Sequence, residues 1–207
     1  MSQVFFSLGI TLDGFIAGPN GGPSNPLGDR GPLIHAWMFE QRAFRAHLKL
    51  GEGGDTGADN RVIKHTIART GATILGKRTF DEGEPNWPDA PPFRSDVFVL
   101  THEVRSPWPR RGGTTFHFVN DGIESALRQA RAAAGDKDVR IGGGAQTVMQ
   151  YLNAGLVDDF ALSIAPFFMG QGLRLFDAVD AKKTSVEIAN VLHSKSATHL
   201  KYIVTQK

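Results

Sequence analysis

The order of strand and helix patterns constrains the fold more than any other feature of this sequence. Up to Gly155, short apolar runs typical of buried strands alternate with segments whose apolar residues recur at helical spacing. Beyond that glycine, strand patterns follow one another without room for helices between them. Strands connected by helices pair in parallel, whereas strands connected directly pair antiparallel. The sequence therefore predicts an α/β fold with a mostly parallel sheet and an antiparallel carboxy-terminal hairpin.

The individual segments are short, and each has a simple pattern. Strands are predicted over residues 4–10, 72–76, 96–101, 115–119, 139–141, 160–164, 186–188 and 200–204. Helices are predicted over residues 36–50, 62–70 and 146–154, and another begins at a capping box of Asp121 and Glu124 and stops at Gly135. Residues 51–59 have nothing to bury and are predicted to form a mobile loop or a lid, and residues 105–113 a loop rich in proline and arginine.

Length and composition indicate one globular domain spanning residues 1–207. Hydrophobic residues make up 41% of the chain and charged residues 21%, the balance of an ordinary folded protein. The net charge of +2 leaves no broad cationic surface, so nucleic acid is not an expected partner. The absence of cysteine excludes disulfides, zinc–thiolate sites and thiol nucleophiles. His35 and His47 are too scattered to propose metal ligation, so no metal is expected.

The amino-terminal residues do not resemble a targeting signal. No basic residue precedes the first apolar run, and no segment approaches the roughly 20 apolar residues that a membrane helix needs. We therefore expect a cytoplasmic protein that binds a small-molecule substrate and no membrane. The predicted late hairpin leaves a sheet edge to be covered, which is compatible with a homodimer.

Three consecutive glycines mark the most informative turn of the chain. Gly142, Gly143 and Gly144 stand where an apolar strand meets a helix, just before Ala145 and Gln146. Glycine brings backbone N–H groups close to an anion, and the start of a helix favours negative charge. The pattern indicates a phosphate site, although a tight turn without a ligand is the alternative. It departs from the Rossmann fingerprint, because a threonine replaces the last glycine of that motif.

A second strand end has residues that suit a phosphate. Gly76, Lys77, Arg78 and Thr79 follow a buried strand and offer two cations and a hydroxyl. Arg78 replaces the serine or threonine of a P-loop, so a nucleoside-triphosphate site is rejected. Alone, this segment would be a solvated basic turn. Two such turns at the ends of parallel strands suit a pyrophosphate, and a dinucleotide is the simplest ligand.

A third strand end is rich in basic residues. Thr101 is followed by His102, Arg105, Arg110 and Arg111, which could hold a 2′-phosphate and so favour NADPH over NADH. Surface arginines beside prolines are the alternative, and the sequence leaves both open.

Taken in order, these segments resemble the dihydrofolate reductase-like fold family, specifically the carboxy-terminal reductase domain of bacterial riboflavin biosynthesis in a stand-alone form. The resemblance covers nearly the whole chain and depends on order and spacing, because each segment is weak alone. The segments are TLDGFIA at 11–17, LGKRTF at 75–80, VLT at 99–101, IGGGA at 141–145, LVDD at 156–159, IAP at 164–166 and GQG at 170–172. The resemblance implies a three-layer α/β fold.

The resemblance also implies that NADPH lies across the carboxyl ends of the strands. Its phosphates would be held by residues 76–79 and 142–146, and its adenosine ribose by Thr101 and the loop that follows. Its nicotinamide would be bordered by residues 13–17, including Ile16 and Ala17. The implied substrates are reduced pterins or ribosylaminopyrimidine-like compounds. The chain departs from the family in lacking a deaminase domain, in an apparent insertion at residues 51–59, and in having lysine at position 77, where arginine is more frequent.

A nicotinamide-dependent reductase must also obtain a proton. By the resemblance, Asp13 lies near the nicotinamide, and Glu40 lies on the first helix, where dihydrofolate reductases keep their pocket carboxylate. Both have ordinary explanations, because Asp-Gly is a common turn pair and Glu40 could be a solvated helix residue. Trp37, Phe39 and Phe44 could line a flat pocket, or they could belong to the core.

Three functions follow from these patterns. The leading prediction is an NADPH-dependent reductase that transfers hydride to a C=N or C=O bond of a pterin-like or ribosylaminopyrimidine-like substrate. The second is an NADPH-binding protein without catalysis, and the third is a reductase of an unrelated aromatic substrate. Oxidation of NADPH separates the first from the second, and a substrate panel separates the first from the third.

Overall fold

A nine-stranded sheet runs through the centre of the protein, in a computed structural model that describes residues 2–206. The strands of the chain are β1 (Val4–Thr11), β2 (Phe15–Ala17), β3 (Thr70–Gly76), β4 (Val97–Leu100), β5 (Trp108–Arg110), β6 (Thr114–Val119), β7 (Asp138–Gly143), β8 (Asp159–Ala165), β9 (Leu173–Arg174), β10 (Thr184–His193) and β11 (Thr198–Gln206). The α-helices are α1 (Arg42–Leu48), α2 (Ala58–Arg69), α3 (Lys77–Gly83), α4 (Ile123–Ala134) and α5 (Ala145–Asn153). Two 3-10 helices cover Gly31–Glu40 and Glu84–Asn86.

The strands lie across the sheet in the order β10-β11-β8-β1-β7-β3-β4-β6-β5. All neighbours from β8 to β6 pair in parallel. At one edge, β11 pairs antiparallel with both β8 and β10. The predicted mostly parallel sheet with an antiparallel carboxy-terminal hairpin is therefore confirmed.

Two short strand pairs were not predicted from the sequence. Residues 105–113, predicted as a loop, contain β5, which pairs antiparallel with β6 at the edge opposite the hairpin. An edge strand tolerates Pro109, because a missing N–H there need not interrupt a ladder. Strands β2 and β9 form a separate two-stranded sheet in which Phe15 pairs with Arg174. These strands are too short to show a periodic pattern in the sequence.

Helices cover both faces of the sheet. On the first face α4 and α5 pack against a large apolar cluster that includes Phe6, Ile74 and Ile141. Side chains alternate along a strand, so neighbours such as Phe5 and Arg140 point to the opposite face. The 3-10 helix Gly31–Glu40, α1 and α2 lie on this second face. The result is the three-layer arrangement that the resemblance implies.

The helices of the second face differ in their bounds from the prediction. The spacing predicts one helix over residues 36–50, but a 3-10 helix ends at Glu40 and α1 begins at Arg42. Between them Gln41 is extended and buried, and its Nε2 donates a hydrogen bond to the Trp37 carbonyl at 3.1 Å. Within residues 2–206, no helix combines the length and the apolar character required to cross a bilayer.

The predicted capping box of α4 is wrong, although its predicted stop is confirmed. The helix begins at Ile123 with Gly122 as its N-cap, at a φ of 104°, and the described residues give it no side-chain cap. Asp121 therefore precedes the N-cap, and Glu124 occupies the second helical position instead of the third, so neither reaches the capping geometry. Gly135 follows the last turn.

The predicted loop at residues 51–59 is shorter in the structure. Residues 51–57 are exposed, and Asp55 joins them to the neighbouring helices: its N–H donates to the Glu40 carbonyl at 2.7 Å, and its carbonyl accepts from the Arg42 N–H at 3.0 Å. Asp59 belongs to α2 and is buried, where its carboxylate contacts His199 Nε2 at 2.9 Å. Asp59 thus stabilises the packing of α2 against β11.

Candidate active site

A gap opens between β1 and β7 at the carboxyl ends of the parallel strands. The pairing of β1 with β7 runs from Val4 to Phe6 and stops there, whereas the pairing of β1 with β8 continues to Thr11. The two central strands therefore separate over the last part of β1. In open α/β sheets, ligands bind in such crevices outside the carboxyl ends of strands.

The glycine turn lies beside this gap, between β7 and α5. The pairing of β3 with β7 shifts register around Gly142, Gly143 has a φ of +121°, and the peptide bond between Gly143 and Gly144 is cis. Gly144 is the N-cap of α5, and within the described residues no side chain caps this helix. The N–H groups of the first helical residues lack intrahelical acceptors, so they can donate to an anion.

The second predicted turn touches the first. A Cβ on Gly76 would collide with the side chain of Thr147, and a Cβ on Gly144 would lie 3.2 Å from Thr79 Oγ1. The structure therefore brings residues 76–79 and 142–147 together at the ends of neighbouring strands. This is the spatial relation that a pyrophosphate spanning both turns requires.

The two cations of the second turn already have carboxylate partners. Lys77 Nζ lies 2.7 Å from Asp81 and 3.2 Å from Glu103, and the hydrogen bond to Asp81 raises the pKa of the lysine. Arg78 Nε lies 2.8 Å from Glu82 Oε1, while its side chain remains mostly exposed. Any phosphate at this turn would share these cations with carboxylates. The first backbone N–H groups of α5 have no such competing partner among the described residues and are therefore the better donors to a phosphate.

The third predicted segment is held by aromatic residues. The guanidinium of Arg105 lies 4.4 Å from the centre of the Phe118 ring and pairs with Glu84 at 2.8 Å. Arg110 lies 4.4 Å from the centre of the Trp108 ring. Thr101 is buried, and its hydroxyl accepts a hydrogen bond from the Glu103 N–H at 3.0 Å. These contacts give both arginines a structural role, and their predicted role with a 2′-phosphate stays a prediction.

Asp13 lies just beyond β1 and anchors a neighbouring loop. Its carboxylate accepts hydrogen bonds from the N–H groups of Met169 (2.9 Å) and Gly170 (2.7 Å) and from the Thr11 hydroxyl (2.6 Å). Burial alone would raise the pKa of Asp13, but these hydrogen bonds outweigh it and lower the pKa to about 2. Asp13 is therefore ionised at neutral pH and has no proton to donate there. The predicted nicotinamide neighbours, Ile16 and Ala17, follow in β2.

Glu40 lies at the end of the 3-10 helix and is exposed. Within residues 2–206 its carboxylate makes no hydrogen bond or ion pair with Asp13 or with either glycine turn, and its carbonyl accepts from the Asp55 N–H. The structure thus does not bring the two predicted carboxylates together. Of the predicted aromatic residues, Trp37 is buried against His199, whereas Phe39 is exposed and contacts Phe44 edge to face.

Sequence reasoning missed a basic cluster on the second face. Arg140 on β7 donates from Nη2 to the Ser7 carbonyl at 3.1 Å, and burial lowers its pKa. Burial, and secondarily the charge of Arg140, lowers the pKa of His35 to about 4. His47 on α1 also has a lowered pKa, because of its burial. The available signal was the position of Arg140, a charged residue between Val139 and Ile141 in a strand predicted to be buried.

A cavity of about 620 Å³ also lies on the second face, but away from the glycine turns. It is bounded by α2 and by the strands β1, β8, β10 and β11, with Phe5, His65, Arg69, Asp159 and Lys201 among its lining residues. Phe5 and Asp159 stand at the amino ends of their strands. The cavity is thus centred toward the amino ends, while both turns stand at the carboxyl ends.

Comparisons with known proteins identify the family. The model of the RibD C-terminal domain family matches residues 2–200. The chain belongs to this family. This RibD C-terminal domain protein is 27% identical over 187 residues to the uncharacterized protein YyaP of Bacillus subtilis strain 168, with 87% of this chain and 82% of YyaP covered.

Solved structures share the fold of this RibD C-terminal domain protein. A putative riboflavin biosynthesis protein from Shewanella sp. PV-4 is 17% identical, with 99% of each chain covered and a TM-score of 0.65. A diaminohydroxyphosphoribosylaminopyrimidine deaminase/5-amino-6-(5-phosphoribosylamino)uracil reductase from Thermotoga maritima is 16% identical, with 98% of this chain and 56% of that chain covered and a TM-score of 0.62. Dihydrofolate reductase from Enterococcus faecalis, complexed with NADP(H) and RAB-propyl, is 12% identical, with 98% and 96% covered and a TM-score of 0.55. The predicted dihydrofolate reductase-like fold is thereby confirmed.

Proposed function

We propose that this protein is an NADPH-dependent reductase, formed by one domain of residues 1–207, that transfers hydride to a C=N or C=O bond of a pterin-like or ribosylaminopyrimidine-like substrate. The observation that carries the proposal is the contact between the two turns at the ends of β3 and β7, beside the gap between β1 and β7. The name of the Thermotoga protein, a uracil reductase, and the NADP(H) in the Enterococcus structure support the same chemistry here.

The residues of the two turns fit a pyrophosphate. The φ of +121° at Gly143 disfavours any side chain there, and a Cβ on Gly144 would enter the space next to Thr79 Oγ1. Glycine at both positions keeps that space open for phosphate oxygens. The N–H groups of Ala145 and Gln146 and the Thr79 hydroxyl would hold them. NADPH supplies the hydride when it is bound.

The residues around the β1–β7 gap would orient the nicotinamide and the substrate. Ile16 and Ala17 would border the ring, and Asp13 would keep the loop at Met169 in place through its hydrogen bonds. We assign Asp13 a positioning role, because its carboxylate is occupied by hydrogen bonds from the Thr11 hydroxyl and from the N–H groups of Met169 and Gly170. Glu40 stays the candidate proton donor, to be tested with Glu40→Gln, which would lower kcat and leave NADPH binding unchanged.

The function is tested by titrating the protein with NADPH and NADH and following nicotinamide fluorescence, then adding 7,8-dihydropterin and ribosylaminouracil compounds and following absorbance of the reduced cofactor. We expect saturable binding with a preference for NADPH, and oxidation of NADPH with at least one substrate. Gly143→Val should abolish binding while the circular dichroism spectrum is retained. Failure of the wild-type protein to bind NADPH would contradict the proposal.

A second candidate, an NADPH-binding protein without catalysis, is favoured by the separation of the two predicted carboxylates, because Asp13 is hydrogen-bonded to Thr11 and to the loop at Met169 while Glu40 is exposed. It predicts stoichiometric binding of NADPH with no oxidation by any compound of the panel. Turnover of any substrate would exclude it.

A further inference from the structure

The guanidinium of Arg140 has fewer partners than its burial requires. Its Nη2 donates one hydrogen bond, to the Ser7 carbonyl, while its Nε is shut off from solvent and has no hydrogen-bond partner among residues 2–206. No carboxylate of the described residues pairs with it. Arg140 as a whole is only half-buried, but a shielded Nε without a hydrogen-bond acceptor is costly on a cation that also lacks a counter-charge among these residues.

The position of the guanidinium links it to the gap between β1 and β7. Arg140 pairs with Phe5 across the sheet, but its side chain reaches forward to Ser7, the first residue of β1 beyond the paired stretch. The group therefore lies where the two strands begin to separate. Gly142 stands two residues further along the same face of β7, where a Cβ would lie 2.7 Å from the Leu75 side chain. The guanidinium thus stands at the inner end of the gap, and the next residue on its face of β7 is a glycine.

The groups around Arg140 do not neutralise it. Burial first, and the charge of Arg140 in addition, lowers the pKa of both His35 on the 3-10 helix and His47 on α1, so neither histidine supplies a negative charge to the guanidinium. Arg94, a further cation, donates from Nε to the His47 carbonyl at 3.0 Å. None of these three neighbours carries a negative charge that would balance Arg140, and a bound oxyanion would balance it.

We propose that Arg140 is the specificity-determining residue of the substrate site and that it receives a carboxylate or ring carbonyl oxygen of a planar substrate. A guanidinium has only donors and holds planar oxygen pairs in a fixed fork, so it selects the acceptor edge of a ligand and rejects a donor edge. Arg140 retains partial exposure, which allows such contact. The inference rests on the proposed function in identifying this ligand as the substrate.

Two probes of the same shape and opposite character test the proposal. Benzoate presents a planar pair of oxygens, whereas benzamidine presents a planar pair of N–H donors and a positive charge. Binding is followed by NMR shifts of the backbone amides of Ser7 and Gly142 in the wild-type protein and in Arg140→Met. We expect benzoate to bind the wild type, its Kd to rise about tenfold or more in Arg140→Met, and benzamidine to leave these amides unshifted.

A matched control and the melting temperature separate binding from structure. Arg131→Met removes an exposed arginine from α4 and should leave the benzoate Kd unchanged. Because no carboxylate within residues 2–206 pairs with Arg140, Arg140→Met should keep or raise the melting temperature. A benzoate Kd unchanged in Arg140→Met, no benzoate binding to the wild type, or loss of folded protein in both Arg140→Met and Arg140→Lys would overturn the proposal.

The same samples titrated with NADPH distinguish the two proposals. Benzoate binding through Arg140 without NADPH binding would keep Arg140 as an oxyanion site and would contradict the reductase function and, with it, the identification of the ligand as the substrate. If the wild type and Arg140→Met bind NADPH equally and also bind benzoate with the same Kd, only the proposal for Arg140 is contradicted.

Discussion

Two arginines on the second face, one at each end of the parallel strands, differ in the partners that their guanidinium groups have. Arg69 meets the first residues of β7 and β8: its Nε lies 2.7 Å from Asp138, and its Nη2 lies 2.9 Å from Asp159. Its guanidinium also lies 3.8 Å from the centre of the Phe5 ring. Arg140, the sheet partner of Phe5, points toward the carboxyl ends and gives one hydrogen bond to a backbone carbonyl. The paired arginine thus joins the amino ends of the strands, whereas the incompletely hydrogen-bonded one is the residue that we propose to meet a ligand.

The largest expected effect comes from removing the paired arginine. Arg69→Met leaves Asp138 without its cation and leaves Asp159 with only the longer contact to Lys201, at 3.7 Å, so we expect the free energy of unfolding to fall by about 3 kcal/mol. Arg140→Met should change the free energy of unfolding by less than about 1 kcal/mol, because among the described residues no carboxylate loses its partner. Urea unfolding of both variants measures the difference. Equal losses of unfolding free energy in Arg69→Met and Arg140→Met would contradict the difference between the amino and carboxyl ends of the sheet.

Acid titration tests the carboxylate of Asp13, which lies just beyond the carboxyl end of β1 and accepts several hydrogen bonds. The pKa of Asp13 is about 2 in the folded protein, below its ordinary value of 3.8, because hydrogen bonds from Met169, Thr11 and Gly170 outweigh burial. A depressed pKa stabilises the fold above the ordinary value, and this contribution is lost as the pH falls toward the folded-state value. We expect the amide NMR signals of Met169 and Gly170 to shift with a midpoint near pH 2. Asp13→Asn should remove the shift, and its persistence in that variant would contradict the assignment.

The smallest effect concerns His35. Burial first, and the charge of Arg140 second, lower its pKa to about 4 from the ordinary 6.5. The unfolded chain therefore takes up the proton first, and stability is lost as the pH falls from about 6.5 to about 4. Arg140→Met should raise the pKa of His35 without restoring 6.5, as measured by NMR titration of its ring protons. Arg69→Met is the control, and an unchanged pKa in Arg140→Met would contradict the proximity of the two groups.

The sequence predicts the parts of the fold that depend on local patterns. The apolar runs of β3, β4, β6 and β7 and the glycines between β7 and α5 are visible as residue spacing. The break at Gln41 is not, because it depends on a hydrogen bond to Trp37 and on contacts of the neighbouring backbone with Asp55. The contact of Lys77 with Asp81 has a readable four-residue spacing, but its contact with Glu103 depends on how β4 ends beside β3.

In the candidate site, too, the sequence predicts local segments but not the tertiary contacts between them. The glycine turn and the basic turn are predicted as separate phosphate-compatible segments, and their adjacency follows from the parallel pairing of β3 with β7. The environment of Arg140 could not be predicted, because the missing counter-charge is a property of three elements that meet only in the folded chain. Asp13 likewise reads as a turn residue until the loop at Met169 is placed against it.

The central claim, that the two adjoining turns hold the pyrophosphate of NADPH, is tested most directly by alanine at two matched glycines. Gly144 and Gly57 are both N-caps with extended backbone, at φ values of −78° and −71°. A Cβ at Gly144 lies 3.2 Å from Thr79 Oγ1, between the turns, whereas a Cβ at Gly57 meets no atom within 4 Å. Calorimetric titration with NADPH should give a Kd raised about tenfold or more in Gly144→Ala and unchanged in Gly57→Ala. An equal Kd in both variants would contradict the account.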